Sequence, residues 1–141
     1  MTTIAIDHLQ GWVRRSLATT PARWSQLATL PLDLLAAAPA PGEWSALDCL
    51  RHLIETEKYV FPVRLEAFTA GVDIPRFDPA GQPPAADPDA SPVTLAGDFA
   101  ELRRENIVRL GKLKLPDLDR TARHQDYGEV TLAQLLHHWA A

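Results

Sequence analysis

The stretch whose reading decides the fold runs from Pro41 to Gly71, PGEWSALDCLRHLIETEKYVFPVRLEAFTAG. Ser45 with Asp48 behind it reads as a capping box, in which each side chain satisfies an amide that the helix start leaves open. Trp44 before the cap and Cys49 in the first turn are spaced for a hydrophobic staple. Leu47, Leu50, Ile54, Phe61, Leu65 and Phe68 then recur at helical intervals, so the segment carries one apolar stripe. Gly71 suits a left-handed terminator. Pro62 interrupts the pattern, and the expectation is one long helix kinked there, because proline removes a hydrogen bond and crowds the preceding turn.

Beside the stripe lies a second line, Asp48, His52, Glu55 and Tyr59, on one side of the same helix. A histidine flanking an apolar face can reach a bundle interior, where metal sites are built. A hydrogen-bonded structural histidine is the commoner occupant of such a position, and this helix alone does not choose between them.

Around this segment the chain has 141 residues, 46% of them hydrophobic and 23% charged, which predicts a single domain, 1–141, able to bury a real core. A net charge of −4 gives no basis for a nucleic-acid or anionic-membrane partner. The single cysteine excludes an intrachain disulfide framework and a Cys-only zinc site. The start, MTTIAIDHLQ, has no signal-peptide pattern, and no run is apolar enough to span a bilayer, so a cytoplasmic location is expected.

Upstream, Ile6, Leu9, Val13, Leu17, Trp24 and Leu27 keep one helical face, with Thr20-Pro21 marking either a bend or a new start. Downstream, residues 72–92 hold six of the 12 prolines and read as a long irregular crossover. Ser91 or Thr94 caps a third rod with Leu95, Phe99, Leu102, Leu110 and Leu113 on its apolar side, ended by Pro116. Arg103, Arg104 and Arg109 read as a solvated face, with at most one turned inward. His124 falls in a loop before a last helix that Thr131 and Gln134 cap as a second box, followed by His137 and His138. The expected class is all-α, a four-helix bundle with a long crossover loop.

Several of these stretches, in order, resemble the DinB-like (YfiT-type) family. PAPGEWSALDCLRHLIETE is similar to its second-helix signature, DFAELRRENIVRL to its third helix, and ARHQDYGEVTLAQLLHHWAA to its approach to the last helix. The resemblance extends from Thr20 onward. It implies a bundle with a divalent metal, zinc or nickel, held by a second-helix histidine, which aligns with His52, and by a His-x-x-x-His pair on the last helix. Such a spacing puts both imidazoles on one helix face and leaves positions open for water or substrate.

The chain departs from that pattern: the pair would begin just beyond Ala141. On this reading the last helix is cut short and the His site is incomplete; His138, one turn upstream, is the candidate substitute metal ligand, with a structural or exposed role as the alternative. His137 points about 100° away. Glu57 and Tyr59 are candidates to orient a ligand, with surface salt links as the alternative, and Arg103 and His124 to meet substrate. Cys49 reads as an inert staple residue. The resemblance implies a metal-dependent hydrolase or a low-molecular-weight-thiol S-transferase, using bacillithiol or mycothiol and a small-molecule substrate. The alternative is a non-catalytic helical stress-associated or binding protein, a homodimer.

Overall fold

Residues 3–140 are described by the computed structural model. In chain order they form α1 (Thr3–Leu27), a short α2 (Leu32–Ala36), α3 (Ala46–Glu55), a π turn (Thr56–Val60), α4 (Phe61–Ala70), α5 (Pro92–Gly111), a hairpin of β1 (Thr121–His124) and β2 (Gly128–Thr131), and α6 (Leu132–Ala140). Four rods make the bundle: α1, the α3–π–α4 unit, α5 and α6. α1 packs on α5 and α6, and α3 packs on α5.

The capping box at the head of α3 forms as read. Ser45 Oγ accepts from the Asp48 N–H at 3.1 Å, and Asp48 Oδ2 accepts from the Ser45 N–H at 2.9 Å. Gly71 closes the rod at φ 69°. Ser91, rather than Thr94, caps α5, and Thr131 and Gln134 exchange the expected bonds at the head of α6. α5 ends at Gly111, before Pro116.

Both helical prolines sit inside continuous rods. Pro21 lies within α1, so Thr20-Pro21 is not a new start. Around Pro62 the disturbance takes the form of a wide turn, in which the Phe61 N–H donates to Thr56 O, five residues back. Each proline leaves one carbonyl without its helical donor. Pro21 has no N–H for Leu17 O, four back, and Pro62 has none for Glu57 O, five back in the wide register. α5 supplies both: Arg103 Nη1 donates to Leu17 O at 2.9 Å, and Asn106 Nδ2 to Glu57 O at 2.9 Å.

The apolar interior falls into two clusters. One gathers Leu35, Leu47, Leu50, Ile54, Leu95 and Phe99; the other gathers Val13, Leu17, Leu65, Phe68, Leu110, Leu118, Leu132, Leu136 and Trp139. Along α5, Arg103 and Asn106 separate Phe99 in the first from Leu110 in the second. Leu102 and Leu113 are only partly buried, and Leu27 is exposed while Ala28 takes the inward place. Ile6 and Leu9 lie outside the residues whose side chains are described.

The hairpin is an addition to the expected all-α architecture. Thr121 pairs with Thr131 and His124 with Gly128, whose φ of 72° makes the turn. Each strand has four residues, and of them Ala122 is buried and Val130 half-buried, too short a pattern to be read as alternation.

Candidate functional site

His52 stands on the outer side of α3, with its side chain 47% exposed. Its Nδ1 lies 3.4 Å from Glu55 Oε2, and the Trp44 ring meets it edge-on, with centroids 5.0 Å apart. Trp44 thus packs on the histidine from its place before the cap. His52, Trp44, Asp48, Arg51 and Glu55 line one wall of a cavity of about 670 Å³, and Pro84, Ala85, Ala86 and Pro88 of the crossover form the other.

Two side chains of the second rod hold that crossover in place. Arg51 Nη2 donates to Pro88 O at 3.1 Å, and Tyr59 Oη donates to Pro83 O at 3.0 Å while its ring stacks on Phe77. Tyr59 is therefore placed against the loop. Asp48 is committed to the cap: the Ser45 N–H and then the Ser45 hydroxyl hold its carboxyl below the usual carboxylate range.

Glu57 is 1% exposed, at the junction of the two apolar clusters. Its Oε1 accepts from Arg103 Nη2 at 2.8 Å and from Trp139 Nε1 at 3.0 Å, and its Oε2 accepts from Asn106 Nδ2 at 2.8 Å. Arg103 lies over the Phe99 ring and reaches α1 through Leu17 O, while Arg109 Nη1 donates to Asn106 Oδ1 at 2.7 Å. Every rod contributes to this network. Arg103 is thus the one inward arginine of α5, bound to Glu57 rather than open to a substrate.

His138 is exposed and lines a second cavity, with His124, Arg64 and Tyr127, away from the wall that carries His52. The two expected metal ligands therefore face different cavities. His124 closes β1; its Nδ1 accepts the Asp126 N–H at 3.1 Å and its ring tilts against Tyr127. His137 meets Trp12, centroid to centroid at 5.6 Å.

A zinc or nickel ion held as a catalytic centre takes about three protein donors converging on one point. Among the described residues no group of three His, Cys, Asp or Glu side chains is so disposed. At the His52 cavity Asp48 is spent on the cap and Glu55 faces the imidazole itself. The described donor set does not fit a metal on its own.

The sequence alone does not single out Asn106 or Trp139 as partners of Glu57. For Asn106 a signal of burial is there: the apolar spacing Leu95, Phe99, Arg103, Asn106, Leu110 runs straight through two polar residues, which then need buried partners, whereas Trp139 reads as an ordinary apolar position of α6. Nothing local to PVRLEAF marks Arg64 either.

Four helical rods, a long crossover and a cavity beside a second-rod histidine define a helical-bundle protein with a candidate small-molecule site. The model of the DinB superfamily matches residues 16–141, and the chain belongs to that superfamily. The resemblance read from the motifs holds at that level. Among solved structures the fold is similar to YfiT from Bacillus subtilis, described as a probable metal-dependent hydrolase with an unusual four-helix bundle topology. The two are 18% identical, with a TM-score of 0.74 over 95% of this chain and 78% of that one, a likeness that shows the fold. No curated protein matches significantly. Among the described residues no helix is long and apolar enough to cross a membrane.

Proposed function

We propose that the protein is a metal-dependent enzyme of the DinB type, a hydrolase or a low-molecular-weight-thiol S-transferase, whose small-molecule site is the His52 cavity. The observation that carries this reading is the position of His52: the second-rod imidazole opens on a cavity of about 670 Å³ walled by the crossover. That volume suits a small organic substrate. Superfamily membership and the description of YfiT support the class.

A zinc or nickel ion in this class would lower the pKa of a bound water or thiol. The described donors do not complete such a site. What this chain supplies at the cavity is an imidazole with Glu55 beside Nδ1, leaving Nε2 as the nitrogen able to accept a proton or bond a ligand.

Turnover tests this with p-nitrophenyl acetate in one arm and bacillithiol or mycothiol plus monochlorobimane in the other, each with zinc or nickel supplied. One arm is expected to exceed the protein-free rate and to fall about 100-fold or more in His52→Ala. A second, non-catalytic binding reading is favoured by the Glu57 network, which fills the bundle interior with donors and acceptors spent on one another. No turnover in either arm, or turnover untouched by His52→Ala, decides for that reading.

A further inference from the structure

We propose that the second cavity, between α4, the hairpin and α6, binds a small organic monocarboxylate through Arg64. This proposal is independent of the metal reading and of His52. The cavity measures about 490 Å³, within the range that holds small ligands, and joins apolar Ile74 and Leu135 to Arg64, His124, Tyr127 and Gln134.

Arg64 is the unusual member. It is half-buried, yet no carboxylate, carbonyl or hydroxyl among the described residues bonds to it. Arg103, the fully buried arginine, is by contrast matched by Glu57 and Leu17 O. Burial pushes the Arg64 guanidinium pKa down, with Tyr127 acting the other way, but the group stays charged at any physiological pH. A partly desolvated cation with an empty fork is a preformed partner for a carboxylate, which two parallel N–H bonds can hold.

The surroundings hold more cation and donor groups than carboxylates. An adjoining cavity of about 210 Å³ shares Arg64 and His124 and adds Arg76, a second guanidinium with no ion pair among the described residues. His124 accepts the Asp126 N–H at Nδ1, so in the neutral ring Nε2 carries the proton and is a donor. Asp126 also lines both cavities, and no ion pair joins it to Arg64. One carboxylate already present disfavours a doubly charged phosphate and leaves a singly charged ligand as the better fit, its apolar body on Ile74 and Leu135.

The test is an amide-shift titration of the isotope-labelled chain with phenylacetate, alongside neutral phenylacetamide and inorganic phosphate. Phenylacetate is expected to move the amides of Arg64, Ile74, Tyr127 and Gln134, with a Kd of about a millimolar or tighter. Arg64→Gln weakens it about tenfold or more, while Asp126→Asn, at an exposed position, tightens it. His52→Ala leaves it unchanged. The proposal is overturned if those amides stay still, if phenylacetamide or phosphate binds as well as phenylacetate, or if Asp126→Asn weakens binding. It is equally overturned if a folded Arg64→Gln binds like the parent chain.

Discussion

At Glu57 a carboxylate with 1% exposure takes three side-chain donors, from Arg103, Asn106 and Trp139. Removing two charges from water costs several kcal/mol each, so the pair with Arg103 stabilises little relative to an apolar core of the same shape. Its loss on one side is another matter, because the remaining charge is stranded. Glu57→Ala is therefore expected to lower the unfolding free energy by about 3–5 kcal/mol, and adding Arg103→Met to recover a substantial part of it. Denaturant unfolding of the two single variants and the double variant measures the coupling; additive losses would contradict a shared network.

At the scale of elements, two prolines and one polar helix face explain each other. Pro21 and Pro62 sit inside continuous rods, and Arg103 and Asn106 fill the carbonyls they leave open. Pro62→Ala returns an N–H to the second rod, so Asn106→Leu should cost about 1 kcal/mol less in that background than in the parent chain. Equal costs in both backgrounds would show that the orphan carbonyl is not what Asn106 serves. The α3 cap gives a pH dependence. Its folded pKa being lowered, Asp48 adds stability that is present above its unfolded value and is lost as pH falls through the folded one. Thermal melts from about pH 5 to about pH 2 should show the advantage over Asp48→Asn shrinking as pH falls. The rods and caps were legible in the sequence because periodicity and Ser-x-x-Asp or Thr-x-x-Gln spacing are local. The π turn and the hairpin were not. One depends on what Asn106 offers from another helix, and the other on strands of four residues each, too short to carry a period.

At the scale of the whole molecule, the bundle and its family were readable from the order of motifs, whereas the site was readable only in part. His52 could be singled out from its line beside the apolar stripe, but its outer wall comes from Pro84–Pro88, some thirty residues on in a segment with no periodic signal. Arg64 and His124 meet only because the hairpin folds back on α4. His52 and His138, the two candidate metal ligands, line separate cavities once the chain folds. The proposed function thus turns on whether the second-rod imidazole holds an ion in the protein as the cell makes it. Metal content of the protein purified as the cell makes it, where donors other than the described ones can join His52, tests this most directly against His52→Ala. About one equivalent of zinc or nickel in the parent protein, lost in the variant, is the predicted result; a metal-free parent, or a variant that retains the ion, would contradict it.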